Sequence, residues 1–270
     1  MKIKKIANIP YIGLGTYKLK TLEEIYHSLD NALKSGYRMF DTAELYKNEH
    51  LIGDFLQKKL LEYNLEREDI WITTKVAYFT MLDGENSIYN AIDNSIEIFG
   101  YVDLFLIHAS NENEIKTWNI LREYQKNGKI RQIGVSNYNI ERLTKFCETI
   151  GSNEIQYIYS NQIEFNPFLN RKALIEMCQW SNIRVIAYGS LYKKNKYIED
   201  LAVKLNKSPE QILLKWAYQK GIIVIPMSRN RDHIVENWDT IGVNNWQLTD
   251  DEIRIIDTFD EGYTRYKKHL

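Results

Sequence analysis

Four polar residues in the first half of the chain stand at, or just beyond, the ends of apolar segments. Asp41 ends the segment Met-Phe-Asp, and Tyr46 follows it five residues later. Lys75 ends Ile-Thr-Thr-Lys, and His108 ends Asp-Leu-Phe-Leu-Ile-His. A (β/α) barrel carries its catalytic side chains at the C-terminal ends of its strands, so these four residues are candidates for one shared site.

A carboxylate, a phenol, an ammonium and an imidazole at one site can transfer a proton. The pKa of a tyrosine is ordinarily about 10, so a phenol that acts as an acid near neutral pH needs a neighbour that favours its phenolate. Lys75 could be that neighbour, and Asp41 could hold the lysine in place. His108 adds a donor that could orient a carbonyl. The set suits proton delivery to a carbonyl oxygen while a cofactor delivers hydride to the carbon, and its spacing indicates no metal.

Each of these residues also has an ordinary structural explanation when it is taken alone. Asp41 could cap a strand, and Tyr46 is one of 19 tyrosines. A strand-end lysine such as Lys75 can be structural or bind phosphate, and His108 could be a core histidine. Their occurrence on three successive predicted strands, with the phenol just beyond one of them, favours a shared catalytic role.

The alternation of short apolar segments with amphipathic ones predicts a closed (β/α)₈ barrel, formed as a single domain over residues 1–270. The apolar segments are rich in β-branched residues and do not alternate strictly, which is typical of parallel strands buried on both faces. The predicted strands cover residues 12–15, 38–42, 70–75, 102–108, 130–136, 155–164, 183–188 and 222–226. Residues before Ile12 are expected to form a hairpin or lid at the bottom of the barrel.

Local signals also predict where helices begin and end. Capping boxes begin at Thr21, Ser208 and Thr249, and glycines at positions 36, 128 and 221 follow predicted helices. A doubly wound open sheet is the alternative fold. It would need a glycine-rich turn after the first strand, and Gly13-Leu-Gly15 lacks the third glycine of that fingerprint.

Composition restricts the class of partner. Lys and Arg total 35 against 36 Asp and Glu, so no charge excess favours nucleic acid or an anionic membrane. The N-terminus is basic but has no apolar stretch typical of a signal peptide, and no segment reaches the ~20 apolar residues of a membrane span. Cys147 and Cys178 have no CxxC spacing, which favours reduced packing cysteines. We expect a cytoplasmic monomer acting on a small molecule.

The chain resembles the aldo-keto reductase family through stretches that run in family order over nearly its whole length. Two are highly specific, Gly36-x-Arg-x-x-Asp-Thr-Ala-x-x-Tyr-x-Asn-Glu49 and Gly128-Lys-Ile-Arg-x-Ile-Gly-Val-Ser-Asn137. The shorter ones are Gly13-Leu-Gly-Thr-Tyr17, Thr74-Lys75, Val102-Asp-Leu-Phe-Leu-Ile-His108, Asn161-Gln-Ile-Glu164, Ala187-Tyr188, Ile225-Pro226 and Ile234-x-Glu-Asn237.

The resemblance implies a reductase of small aldehydes and ketones that uses a nicotinamide cofactor. It implies Tyr46 as general acid, Lys75 as its activator, Asp41 as the anchor of the lysine, and His108 as the group that orients the carbonyl. The cofactor contacts that it implies are Thr16, Ser136, Asn137, Gln162, Tyr188, Leu191, Ser228, Arg229, Glu236 and Asn237.

Within that set the resemblance implies distinct roles. Ser136, Asn137 and Gln162 would hold the nicotinamide carboxamide, and the ring of Tyr188 would stack on the nicotinamide and set which face donates hydride. Glu236 and Asn237 would contact the adenine.

The chain departs from the family pattern at the substrate pocket and at the phosphate end. The usual His-Trp-Pro is His108-Ala109-Ser110, and the usual tryptophan after Gly-Thr is Tyr17, which implies an open pocket beside Tyr17 and Ala109. Two cations that usually bind a 2′-phosphate are replaced by Met227 and His233.

Arginine in the same loop keeps NADP(H) ahead of NAD(H) as the expected cofactor. Arg229 is the expected ligand of the 2′-phosphate because a guanidinium suits phosphate geometry, and Arg231 is the second candidate.

Two other functions remain open at this stage. One is a cofactor-binding regulatory or scaffold protein that retains the reductase fold, and the other is a phosphate-handling barrel isomerase or lyase without nicotinamide.

Overall fold

Eight parallel strands form one sheet in the order in which they occur along the chain. In this computed structural model, residues 8–191, 194–243, 246–262 and 264 are described. The strands are β1 (Leu14–Gly15), β2 (Met39–Asp41), β3 (Trp71–Val76), β4 (Val102–Ile107), β5 (Ile130–Ser136), β6 (Ile158–Glu164), β7 (Arg184–Tyr188) and β8 (Ile223–Val224).

Hydrogen bonds between the last strand and the first close this sheet into a barrel. Ile12 pairs with Val224 in a parallel bridge, and the amide of Gly13 donates to the carbonyl of Val224 at 2.9 Å. The amide of Gly15 donates to the carbonyl of Pro226 at 3.1 Å. A Cβ at Gly15 would lie 2.7 Å from the carbonyl oxygen of Ile225, so this close approach requires glycine. The (β/α)₈ barrel is confirmed, and the open-sheet alternative is wrong.

Helices join successive strands and cover the outside of the barrel. They are α1 (Leu22–Ser35), α2 (Glu49–Lys59), α3 (Tyr78–Leu82), α4 (Glu85–Phe99), α5 (Glu114–Lys126), α6 (Ile140–Ile150), α7 (Ser152–Ile155), α8 (Lys172–Trp180), α9 (Lys196–Leu205), α10 (Pro209–Gln219), α11 (Arg231–Trp238) and α12 (Asp250–Asp257). All three predicted capping boxes are present, at Thr21, Ser208 and Thr249. Gly36 ends α1 in the left-handed conformation, with φ of 114°.

Six of the predicted strands are longer than the observed ones, and the sixth and the eighth differ most, by three residues each. The sixth begins at Ile158 instead of residue 155, because α7 takes up the preceding residues. The eighth is only Ile223–Val224, although its flanking residues also bond across the closure.

The barrel interior is packed with apolar side chains towards its N-terminal end. Ile9, which is 6% exposed, packs into this cluster with Trp71, Leu104 and Ile223. The amide of Ile9 also donates to the hydroxyl of Tyr159 at 3.4 Å. Ile9 therefore covers the bottom of the barrel as the predicted lid would, while residues 1–7 lie outside the described residues. With the bottom filled, space for a ligand is left at the C-terminal ends of the strands.

The second apolar layer lies between the strands and the surrounding helices. Cys147 on α6 and Cys178 on α8 belong to this layer, and both carry free thiols. Across the described ranges, the helices are too short or too polar to cross a bilayer.

Candidate active site

A buried ion pair joins the ends of β2 and β3 inside the barrel. The side chain of Lys75 is fully buried, and its Nζ lies 2.6 Å from Oδ1 of Asp41. The same ammonium donates to the carbonyl of Thr42 at 2.7 Å. The second carboxylate oxygen accepts a 2.6 Å hydrogen bond from Nε2 of Gln162 on β6. Both oxygens of Asp41 are therefore bonded, which holds the ammonium in one position.

Burial shifts the pKa values of both members of this pair. Burial raises the pKa of Asp41, while the charge of Lys75 and the hydrogen bond from Gln162 oppose that rise. Burial lowers the pKa of Lys75, and the charge of Asp41 opposes that fall. The charge of each member therefore offsets part of the pKa shift that burial produces in the other.

Tyr46 lies on a short 3₁₀ turn, Glu44–Tyr46, that follows β2. The carboxylate of Glu44 attaches this turn to the start of α3. It accepts a 2.7 Å hydrogen bond from the amide of Ala77 and a 2.6 Å bond from the hydroxyl of Thr80. The turn is therefore attached to α3, the helix that follows Lys75. This attachment holds the phenol of Tyr46 at the mouth of the barrel.

The ring of Tyr46 lies between the ammonium and the imidazole of the predicted set. Nζ of Lys75 is 5.2 Å from the centroid of this ring. The imidazole of His108 lies edge-on to it, with centroids 5.8 Å apart and an interplanar angle of 78°. The ring of Tyr17 packs against it at 5.2 Å. Asp41, Tyr46, Lys75 and His108 are thus brought together in one place.

Asn48 fastens the loop after β1 to the loop after β2. Its fully buried side chain donates to the carbonyls of Thr16 and Leu19, each at 3.0 Å, and accepts from the hydroxyl of Thr42 at 2.7 Å. The hydroxyl of Thr16 is also buried, and it donates to the carbonyl of Asp41 at 2.9 Å. Thr16, a predicted cofactor contact, therefore bonds within the fold and does not face the cavity described below.

A second set of hydrogen-bonded polar residues lies across the barrel from the ion pair. The hydroxyl of Ser136 donates to the carbonyl of Gln162 at 2.9 Å. The side-chain amide of Asn137 donates to the carbonyl of His108 at 2.9 Å and accepts from the hydroxyl of Tyr188 at 2.7 Å. These bonds connect the ends of β4, β5, β6 and β7. They hold the hydroxyl of Tyr188 beside the side chain of Asn137.

These groups surround a cavity of about 230 Å³ at the C-terminal ends of the strands. Its wall combines the polar side chains with apolar ones from the loops after β2 and β8. The lining residues are Gly15, Tyr17, Asp41, Leu45, Tyr46, His108, Ser136, Asn137, Gln162, Tyr188, Gly189, Ser190, Leu191, Ile225, Pro226 and Met227. Lys75 lies behind this wall. No group of His, Cys, Asp and Glu side chains suited to a metal occurs within the described ranges.

Several features of the cavity fit a nicotinamide cofactor. The half-buried ring of Tyr188 forms part of one wall, beside the hydroxyl and amide groups of Ser136 and Asn137. The hydroxyl of Ser190, which is 5% exposed, is buried without a hydrogen-bond partner among the described residues. A buried hydroxyl in a cavity wall favours a polar ligand, because burying it unbonded is unfavourable.

The rim of the cavity is apolar and partly open. Tyr17 is 41% exposed, Leu45 38% and Met227 36%, and all three line the cavity. Ala109, the other predicted substrate contact, is half-buried and does not line it. Ala109 directly follows His108 along the chain, so a longer side chain there could reach the cavity where the methyl group does not.

The predicted phosphate end lies outside the cavity, in the loop after β8. The side chain of Arg229 is half-exposed, and its Nε lies 2.8 Å from Oε1 of Glu24 on α1. One Nη of the same guanidinium donates to the carbonyl of Lys18. The hydroxyl of Ser228 accepts from the amide of Asn230 at 3.0 Å, within its own loop.

The remaining predicted contacts lie on α11, which leads away from the barrel mouth. Arg231, His233 and Glu236 are exposed, and Asn237 is 3% exposed. The cavity and α11 are joined by the loop after β8. A ligand that touches both must therefore be extended.

Other cavity residues were not predicted from the sequence. Leu45 and Pro226 belong to stretches that carried the family resemblance, so their position was a usable signal. Gly189 and Ser190 follow Tyr188 directly, which was a weaker signal of the same kind. Asn48 also belongs to the longest stretch, but its role depends on three contacts that no local pattern reveals.

Comparison with known proteins agrees with the fold. The sequence model of the Aldo/keto reductase family matches residues 11–261. A glyoxal reductase of Bacillus subtilis (strain 168) is 33% identical over 268 residues, which cover 97% of this chain and 92% of that protein. A methylglyoxal reductase of Escherichia coli O157:H7 is 33% identical over 267 residues, which cover 94% of this chain and 90% of that protein.

A solved structure is also similar over almost the whole chain. The crystal structure of an aldo-keto reductase from a Medee basin deep-sea metagenome library superimposes with a TM-score of 0.86 and 29% sequence identity, covering 95% of this chain and 93% of that one. With the family match and these relatives, the chain belongs to the aldo/keto reductase family of oxidoreductases.

Proposed function

We propose that this protein reduces small aldehydes and ketones to alcohols with NADPH, and oxidises the alcohols in reverse. The observation that carries the proposal is the pairing of Tyr46 and His108 on one cavity with the Lys75–Asp41 ion pair buried behind the phenol. The bound cofactor supplies a hydride to the carbonyl carbon.

Each of the four catalytic side chains has a separate role in the proton transfer. Tyr46 donates its phenolic proton to the carbonyl oxygen as negative charge develops there. Lys75 stabilises the phenolate that remains, and Asp41 keeps the ammonium in position. His108 donates a hydrogen bond to the same oxygen, which orients the carbonyl and stabilises the transition state.

The polar groups across the barrel would hold the cofactor. The carboxamide can bond to Ser136, Asn137 and Gln162, and the ring of Tyr188 provides a flat wall for the nicotinamide. The bond from Tyr188 to Asn137 supports this role, because it prevents the ring from rotating away from the cavity. The adenosine would extend along the loop after β8 towards α11. The two free thiols support the cytoplasmic location expected from the sequence.

The test is a panel of carbonyl substrates followed by the absorbance of NADPH. Glyoxal and methylglyoxal belong in the panel, because two relatives are named for their reduction. Turnover that disappears in Tyr46→Phe supports the proposal. Binding of the cofactor, seen as a change in nicotinamide fluorescence, without turnover of any carbonyl would instead support a regulatory or scaffold protein. Absence of binding would favour a barrel enzyme without nicotinamide.

The expected preference for NADPH depends on Arg229. A charge-assisted hydrogen bond to phosphate contributes roughly 1.5–3 kcal/mol, so Arg229→Ala should weaken NADPH binding about 10–100-fold. NADH has no 2′-phosphate, and its affinity should stay unchanged. Titration of both cofactors into the wild type and the variant measures this, with Arg231→Ala, at the start of α11, as the matched control. Equal losses for both cofactors, or a larger loss in the control, would refute the assignment of Arg229.

The small side chain after His108 is expected to set the size of substrate accepted. Ala109→Trp adds a ring directly after His108, which lines the cavity, so kcat/KM for bulky ketones should fall by about tenfold or more, while short aldehydes lose little. Ala109→Ser is the control, because it changes polarity without adding bulk. An equal effect on large and small carbonyls would show that position 109 does not limit the pocket.

A further inference from the structure

We propose that Glu24 competes with the 2′-phosphate of the cofactor for Arg229, so that this carboxylate weakens the preference for NADPH. The inference rests on the proposed function, since it concerns the residue assigned there to the 2′-phosphate. It adds a residue of α1, outside the assigned cofactor contacts, that sets cofactor selectivity.

The two oxygens of Glu24 have separate partners. Oε2 accepts hydrogen bonds from the amides of Lys20 at 2.7 Å and Thr21 at 3.2 Å, which makes it part of the capping box of α1. Oε1 pairs with Nε of Arg229 at 2.8 Å. The capping bonds therefore hold the carboxylate beside the guanidinium, and Glu24 cannot withdraw without unmaking the start of the helix.

The guanidinium already has bonds on the side that faces α1. Nε is taken by Glu24, and one Nη donates to the carbonyl of Lys18. A phosphate that binds Arg229 must either displace these acceptors or share the cation with a fixed negative charge. Displacement is unfavourable because it breaks the existing bonds of the guanidinium. Sharing is unfavourable because two anions held on one cation repel each other.

Glu24 carries its charge at neutral pH. The hydrogen bond from the amide of Lys20 lowers the pKa of this carboxyl, and the charge of Arg229 acts in the same direction. The pair is partly exposed to solvent, with side chains 50% and 29% exposed for Arg229 and Glu24. Solvent screens such pairs, so the competition should be modest in size.

The experiment compares Glu24→Gln with Glu23→Gln. Glutamine at position 24 is a normal capping-box residue, so α1 should still form. Glu23 lies in the same turn, is exposed and undergoes the same change of charge, and no contact with Arg229 is found for it among the described residues. Dissociation constants for NADPH and NADH are measured by fluorescence titration, with thermal unfolding to verify folding.

Glu24→Gln should tighten NADPH binding roughly two- to fivefold and leave NADH binding unchanged. Glu23→Gln should change neither, and the gain should vanish when Glu24→Gln is combined with Arg229→Ala. Unchanged or weaker NADPH binding in Glu24→Gln would overturn the inference, since it would mean that Glu24 is neutral or orients Arg229 for the phosphate. An equal gain in Glu23→Gln, or a gain that persists without Arg229, would overturn it as well.

Failure of this inference can be distinguished from failure of the proposed function. Carbonyl turnover by the wild type tests the reductase proposal and does not involve Glu24. If the wild type reduces carbonyls and Glu24→Gln leaves the ratio of NADPH to NADH affinity unchanged, only the role of Glu24 is wrong. If the wild type reduces none of them, the reductase proposal is wrong whatever the titrations of Glu24→Gln give.

Discussion

Tyr46→Phe should lower kcat for carbonyl reduction by about 10²–10⁴-fold, the range that a positioned general acid contributes. The substitution removes only the phenolic oxygen, so the ring still packs between Tyr17 and His108. The affinity for NADPH should change little, because none of the cofactor contacts proposed above involves the phenolic oxygen of Tyr46. Steady-state kinetics and a cofactor titration on the same preparation measure both quantities.

Tyr17→Phe is the matched control for this prediction. Tyr17 lines the same cavity and contacts Tyr46, but it is partly exposed and does not lie beside Lys75. Its hydroxyl has no part in the proposed proton transfer, so its loss should change kcat only slightly. A Tyr46→Phe enzyme that keeps most of its turnover would remove Tyr46 from the role of proton donor.

Lys75→Met should be nearly as damaging to kcat as the loss of the phenol, and the double variant with Tyr46→Phe should be little worse than either alone. The two residues act as one unit in the proposed mechanism, and the losses from such units do not add. A double-mutant cycle on kcat tests the coupling. Losses that multiply would show that the ammonium and the phenol act independently.

The same substitution should also reduce stability. Removing one partner of a buried ion pair typically costs about 3–5 kcal/mol, because the other charge is left buried and unpaired. Thermal unfolding of Lys75→Met measures this, and combining it with Asp41→Asn should recover part of the loss without restoring kcat. Lys215→Met is the control for the loss of a buried lysine. Lys215 is 3% exposed on α10, lies over the rings of Trp246 and Tyr218, and does not line the cavity, so its loss should leave kcat nearly unchanged.

The sequence by itself was sufficient to predict the features that depend on residues close together along the chain. Helix starts at Thr21, Ser208 and Thr249 were predictable because a capping box joins residues only three positions apart. Strands were predictable because burial on both faces requires continuous apolar segments. The end of α7 and the start of β6 were not predictable, because a short helical turn before Ile158 competes with an apolar segment that suits either structure.

The ends of those strands also made the candidate site partly predictable. In a parallel barrel, residues at strand ends share one face whatever the details of packing, so Asp41, Lys75 and His108 could be grouped before any distance was known. Tyr46 could be added because it comes only five residues after the end of the second strand. The sequence also carried enough family-specific stretches to identify the family, which the comparisons confirm.

Only the tertiary structure decided which side chains meet across the barrel and which are already bonded. Gln162 reaches Asp41 from 121 positions away, and the seam between β8 and β1 brings Arg229 beside Glu24 and Lys18. Such contacts depend on the twist and closure of the whole sheet, which no local pattern of residues encodes. For the same reason the sequence indicated only that an arginine lies at the phosphate end, while the fold gives that arginine a carboxylate partner on α1.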